Sequence, residues 1–196
     1  MTPKQQRGEA TVTHVLDAAL RIYAAEGESG LTVSAITRAS DVSAGSVYHH
    51  FGSLQGVLNA LAIRATAGLW NHIVQALAGA TGARAGIEAA VRAYLEYVGT
   101  HPDEARILHS AVADREVMTR PQVVRDFQEA RMPPVAQWLR DRIEAGELVD
   151  LPSPLLESLI LGPVVGVARR WLSIGDVDLE RAADALPDRI WRSVSA

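Results

Sequence analysis

The 196-residue chain has no cysteine and a single lysine, Lys4. The missing cysteine excludes disulfides, thiolate zinc sites, iron–sulfur clusters and cysteine nucleophiles, and it suits a reducing compartment, so a cytoplasmic protein is expected. A basic excess is missing as well: 19 Lys and Arg stand against 23 Asp and Glu, net −4, which taken alone argues against a nucleic-acid binder. Long apolar runs are absent. The longest, residues 159–168, is far short of the roughly 20 residues that span a bilayer. Residues 1–10 carry Lys4, Arg7 and Glu9 where a secretory leader needs an apolar segment. No membrane partner is expected. What is present is apolar material, 48% against 21% charged, enough to bury a real core.

The apolar spacing is helical almost throughout, with no internal repeat and no strand-like alternation. Over residues 13–25, Val15, Leu16, Ala19, Leu20, Ile22 and Tyr23 recur three and four apart, and Gly27 and Gly30 stop the run. A short helix follows, with Thr32 as N-cap and Val33, Ile36 and Ala39 on its inner side. The turn Ser40, Asp41, Val42 leads to a further short helix at residues 43–50. Phe51 and Gly52 break the chain, and Ser53 caps a long helix carrying Val57, Leu58, Leu61, Ala65, Leu69, Ile73 and Leu77. More helices are expected over residues 86–99, 102–113, 121–145, 154–174 and 179–194, with Pro102, Pro121 and Pro154 in first turns. Pro133, Pro134, Pro163 and Pro187 fall inside helical patterns, which predicts kinks or short breaks. The fold class is all-α.

Two short helices joined by a tight turn and followed by a long helix have the layout of a helix-turn-helix reader. Asp41 tolerates the left-handed backbone that such a turn requires. Ser43 caps the second helix, and Ala44, Gly45 and Ser46 leave its first turn narrow, so that free N–H groups reach a phosphate or base edge. Val47 and Phe51, four apart, are placed to hold this helix on the core. In this stretch, with Val42, Ser43, Gly45, Ser46, Val47, Tyr48, His49, His50 and Phe51, the sequence resembles the TetR family of bacterial transcriptional regulators. The resemblance is specific over residues 10–60 and extends loosely to the whole helical layout.

The resemblance implies a homodimeric, ligand-responsive regulator, a repressor released by a small molecule from a near-palindromic double-stranded operator. Residues 1–52 would form the helix-turn-helix DNA-binding domain and residues 53–196 the effector-binding and dimerisation domain. The residues expected at DNA are Lys4, Arg7, Thr32, Ser34, Ser43, Ala44, Gly45, Ser46, Tyr48, His49 and His50. Three positions depart from the family pattern: Asp41 replaces a turn glycine, Thr37 an alanine, and Leu54 a lysine that meets a phosphate. Loss of that one contact flattens the salt dependence by about one unit.

In the second part, Trp70, Tyr94, Tyr97, His101, Phe127, Arg131 and Trp138 are the bulky and polar groups expected to line a ligand cavity between helices, ordinary core packing being the other reading. Residues 154–174 bear more apolar surface than one helix on a small domain needs, and Gly162 and Gly166 allow a neighbour to come close. Leu156, Ile160, Pro163, Val164, Val167 and Trp171, with Leu186 and Ile190 from the last helix, are expected to form half of a two-fold four-helix interface; an internal core helix is the alternative. No catalytic triad, paired carboxylates or phosphate loop stands out, since the glycines of residues 79–86 lack the lysine of a P-loop. His49 and His50 diverge by about 100° on a helix, too far for a metal pair. No enzyme, cofactor or metal is expected.

By segment, residues 1–64 hold five basic and five acidic side chains, so the whole deficit, 14 against 18, lies beyond the reader. A neutral reader has little electrostatic reach, and its hold on DNA must come from docking geometry, dimer symmetry and the few charges of an N-terminal arm carrying Lys4 and Arg7. The competing reading is a small-molecule sensor or protein-binding partner with weakened DNA binding, motivated by Leu54 and this low charge.

Overall fold

The computed structural model describes residues 3–110 and 133–196. Nine α-helices and no sheet strand occur among the described residues: α1 Pro3–Gly30, α2 Val33–Ser40, α3 Ala44–Phe51, α4 Leu54–Ala78, α5 Ala83–Thr100, α6 Pro102–Leu108, α7 Pro133–Glu144, α8 Ser153–Ser173 and α9 Leu179–Val194. The expectation for residues 121–132 lies outside the described residues.

Side-chain caps start the N-terminal helices as their sequences predict. The Thr32 hydroxyl accepts from the Ala35 N–H at 3.1 Å, Ser43 from Ser46 at 3.2 Å and Ser53 from Gly56 at 3.1 Å. At α5 the cap comes from far away in sequence. Gly82 offers no side chain, and the Glu147 carboxylate accepts from the Ala83 N–H at 2.6 Å while pairing with Arg142 at 2.8 Å.

Helix α1 is longer than the apolar pattern of residues 13–25 predicts. It begins at Pro3, so Lys4 and Arg7 sit on helical backbone and do not form an extended arm. Near its other end, Gly27 takes φ 70°, ψ −166°, a conformation outside the helical region. The expected breaks at Pro163 and Pro187 do not occur: both prolines lie within continuous helices. Each removes one backbone hydrogen bond, at about 3 kcal/mol in an unsupported helix. Buried neighbours nearby on the same helices, Ile160 and Val164 for Pro163 and Ala182 and Ile190 for Pro187, hold the flanking turns in place.

Two apolar clusters organise the chain. The first joins Val15, Leu16 and Ala19 of α1, Leu31, Ile36 of α2, Val47 of α3, and Val57, Leu58 and Leu61 of α4. Ile107 of α6 completes it, at 2% exposure. The second fills the body between α4, α5, α7, α8 and α9. Packing therefore does not divide between residues 52 and 53: the first turns of α4 belong to the N-terminal core, and α6 places one residue in each cluster, Ala105 in the body and Ile107 in the reader.

The interface expectation needs correction. Leu156, Ile160, Val164 and Ile190 lie inside the body's own core, between 0% and 6% exposed. A helix apolar all round does not reveal from sequence which side faces inward, and the 156, 160, 164, 168 row is the one the body covers. The opposite stripe of α8 runs through Leu155, Gly162, Pro163 and Gly166, all exposed, with Leu159 half-buried beside them. A Cβ built on Gly162 or Gly166 meets nothing within 4 Å. Val167, Trp171 and Leu186 flank this stripe, half-buried.

Candidate nucleic-acid interface

Helices α2 and α3 are linked by Asp41 in the left-handed conformation, φ 56°, ψ 27°. The Ser40 hydroxyl secures the turn, donating to the Ile36 carbonyl at 2.7 Å and accepting from the Val42 N–H at 3.3 Å. Val47 is fully buried and Phe51 half-buried against the N-terminal core, so the remaining face of α3 is fixed toward solvent. On that face Ser43, Ala44, Gly45, Tyr48, His49 and His50 are exposed and Ser46 is half-buried. Thr32 and Ser34, at the start of α2, are exposed alongside. Tyr48 is 53% exposed, among the most exposed large apolar groups of the described chain.

Gly45 occupies the second position of α3, where helical N–H groups have no intrahelical acceptor. A Cβ there would come no nearer than 3.9 Å to another atom of the chain. Internal packing therefore does not require glycine; its small size serves whatever approaches from outside. His50 borders an open groove with Gly8, Glu9, Val12 and Thr13 of α1, so it stands at the edge of the exposed face. Leu54, the position without a lysine, is half-buried against the N-terminal core. Its departure from the family pattern is thus a packing substitution that exchanges an external charge for apolar contact.

The residues expected around a ligand separate into two groups. Trp70 of α4 and Trp138 of α7 line a common small chamber with Ile87 of α5 and Glu157 and Ile160 of α8. Tyr94, Tyr97 and His101 do not line it. Phe127 and Arg131 lie outside the described residues. Tyr94 is buried with its hydroxyl 3.2 Å from His109 Nε2, and burial raises its phenol above the usual value against the opposing field of Arg169. Tyr97 is committed to structure. Its hydroxyl bonds the Ala65 carbonyl of α4 at 3.2 Å and the Glu104 carboxylate of α6, and its ring stacks on His101 at 4.6 Å. Burial first, then the bond to Glu104, hold its phenol above its ordinary value, so it remains a donor at physiological pH. Gly68 makes room for it, since a Cβ there would fall 2.5 Å from the hydroxyl. Sequence reasoning missed this clasp because its partners are 32 and 7 residues away. Tyr97→Phe removes the one hydroxyl that bridges α4 and α6 through Ala65 and Glu104 and is expected to lower stability by about 1–3 kcal/mol, read as an earlier urea midpoint at unchanged slope.

On the reader side, Arg64 of α4 pairs with Asp17 of α1 at 2.7 Å and reaches the Leu16 carbonyl at 3.4 Å. Residues 64 and 65 of α4 are thereby tied to α1 on one side and to α5 and α6 on the other. A tilt of α4 therefore moves the N-terminal helices with it.

Among the described residues no helix is long and apolar enough to cross a membrane. Residues 15–61 match the family model of bacterial regulatory proteins, tetR family. No curated protein is similar to the chain in sequence. Among solved structures, a TetR family transcription regulator from Marinobacter aquaeolei VT8 superposes with a TM-score of 0.76 at 18% identity, covering 97% of this chain and 98% of its own. The fatty acid degradation regulator FadR from Bacillus halodurans gives 0.72 at 18% identity, with 91% and 97% covered. The ketosteroid transcriptional regulator KstR2 of Mycobacterium tuberculosis gives 0.65 at 17% identity, with 94% and 95% covered. Residues 15–61 therefore form an N-terminal domain of the tetR family of bacterial regulatory proteins, and the chain as a whole has the fold of TetR family transcription regulators.

Proposed function

We propose that the chain is a cytoplasmic, homodimeric transcriptional repressor that leaves a near-palindromic operator when a small molecule binds its body. Residues 1–52 read DNA, residues 53–196 bind the effector and dimerise, and α4 connects the two. The observation that carries this reading is the exposed start of α3, where Gly45 is held in open space between a capping serine and the exposed Tyr48. Such a helix end presents unpaired N–H groups and a weak positive field to a phosphate, and small side chains let it come close. Thr32, Ser34, Ala44, Ser46, His49 and His50 surround the same approach as backbone or edge contacts, and Lys4 and Arg7 are assigned to the same task as further phosphate contacts.

The dimer face we assign to the outward stripe of α8, with Pro163, Val167, Trp171 and the adjoining Leu186 of α9. The effector chamber is the space walled by Trp70 and Trp138. An effector switches the protein only by binding one setting of α4 more tightly than the other. DNase protection on the DNA upstream of the coding region tests the reading: two protected half-sites about 34 Å apart, centre to centre, are expected, related by two-fold symmetry. A single unsymmetrical footprint overturns it.

The second reading, a sensor or protein-binding partner with weakened DNA binding, is favoured by one observation. Leu54 packs inward and leaves the first turn of α4 without a cation for phosphate. Absence of any footprint even at low salt selects it.

A further inference from the structure

Reading a base edge in the major groove usually takes a long polar side chain: Arg or Lys on guanine, Asn or Gln on adenine, Asp or Glu on cytosine. Residues 43–50 contain none of the six. At about 100° per residue, Gly45 and His49 lie on the side of α3 opposite the buried Val47, with Ala44 and Tyr48 flanking them, and all four are exposed. The Ser43 hydroxyl donates to Ser46 Oγ at 3.1 Å and accepts from the Ser46 N–H at 3.2 Å, so it is spent on the cap. A tyrosine hydroxyl or an imidazole nitrogen makes single hydrogen bonds and does not span two neighbouring acceptors on one base as a guanidinium does.

What the first turn offers is a methyl group at close range. In a helix-turn-helix the first residues of the second helix meet the base edges, and here those are Ala44 and Gly45, with Ser46 half-buried behind them. A Cβ on Gly45 would come no nearer than 3.9 Å to another atom of the chain, so the missing side chain clears an outside approach and relieves no contact within the fold. The Ala44 methyl can then lie against a base. One base alone carries an apolar group on its major-groove edge, the C5-methyl of thymine. Contact between the two methyl groups at about 3.5–4.0 Å withdraws both from water.

We infer that Ala44 is a specificity-determining residue that reads a thymine methyl group in each half-site, Gly45 giving it the clearance to do so. The inference rests on α3 being the DNA-reading helix. It is tested with the full chain on sites selected from randomised duplex DNA, remade with deoxyuridine in place of each thymine in turn, a change that removes the methyl and keeps every base pair. In a gel shift one thymine is expected to respond, by about fourfold for each methyl removed and about fifteenfold when both half-sites are changed. With cytosine at that place, 5-methylcytosine should bind severalfold more tightly than cytosine itself. Ala44→Gly should bind thymine and uracil sites alike, which general weakening of the helix would not produce; thermal melting shows that the variant is folded. Selected sites in which no thymine responds, or a thymine preference that survives in folded Ala44→Gly, overturn the inference and leave the DNA reader standing. Loss of affinity on 7-deazaguanine with uracil tolerated overturns it too, and moves the reading to His49 and His50. Failure to enrich any sequence removes the DNA reader itself, and the inference with it.

Discussion

Gly45→Asp is expected to abolish operator binding while leaving the protein folded and slightly more stable. The two effects have opposite signs because they act on different partners. Within the chain, replacing a helical glycine restricts the unfolded state, and an acidic side chain in the first turn complements the helix dipole, together worth roughly 0.5–1 kcal/mol. The new Cβ meets no atom of the chain closer than 3.9 Å, so no internal clash offsets this gain. Toward DNA, the same side chain adds bulk and a negative charge where N–H groups are to meet phosphate. A loss of at least about 100-fold in affinity, roughly 2.7 kcal/mol, is expected in a gel shift. Thermal melting on the same sample shows whether the fold survives. Unchanged affinity in a folded variant would remove the start of α3 from the interface.

The second large effect is expected at the outward face of α8. Gly162→Glu combined with Gly166→Glu should give a folded monomer that no longer protects its operator, as read by sedimentation equilibrium and footprinting. Two glycines within one helix disfavour it by roughly 1 kcal/mol each relative to alanine, and none of the described residues occupies the space beside them. A crossing helix from a second subunit gives them a reason, since it would come close where side chains are absent. Val164→Glu serves as the contrast. Val164 is fully buried in the body, so a charge there unfolds the chain and says nothing about assembly. A dimer that persists in the double glycine variant would place the interface elsewhere.

The helix-turn-helix was legible because its signals are local. Thr32, Ser43 and Ser53 cap within three residues of themselves, and Asp41 turns the chain by its own backbone preference. The family pattern over Val42 to Phe51 added what such signals cannot, the external partner. Sequence reasoning was weaker wherever the deciding contact is distant. The cap of α5 comes from Glu147, 64 residues on, and the Tyr97 clasp joins three helices. Helix α8 is apolar on both faces, so periodicity identified the helix and left open which row faces the body. The start of α1 carries no apolar repeat, so the pattern under-reads its length. In the chamber, Trp70 and Trp138 were found by bulk alone.

Ile107 bears on how this protein could be taken apart or recombined. It is a residue of the body's α6, yet it is 2% exposed in the N-terminal core, beside Val57, Leu58 and Leu61 of α4. A fragment ending at residue 52 would lose all four and leave an apolar hollow open to water. The reading head is therefore no transferable cassette. A chimera that joins it to a foreign sensor must carry over the first three turns of α4 and a matching α6 plug, and compatibility at that plug limits which sensors can be exchanged beneath one reader.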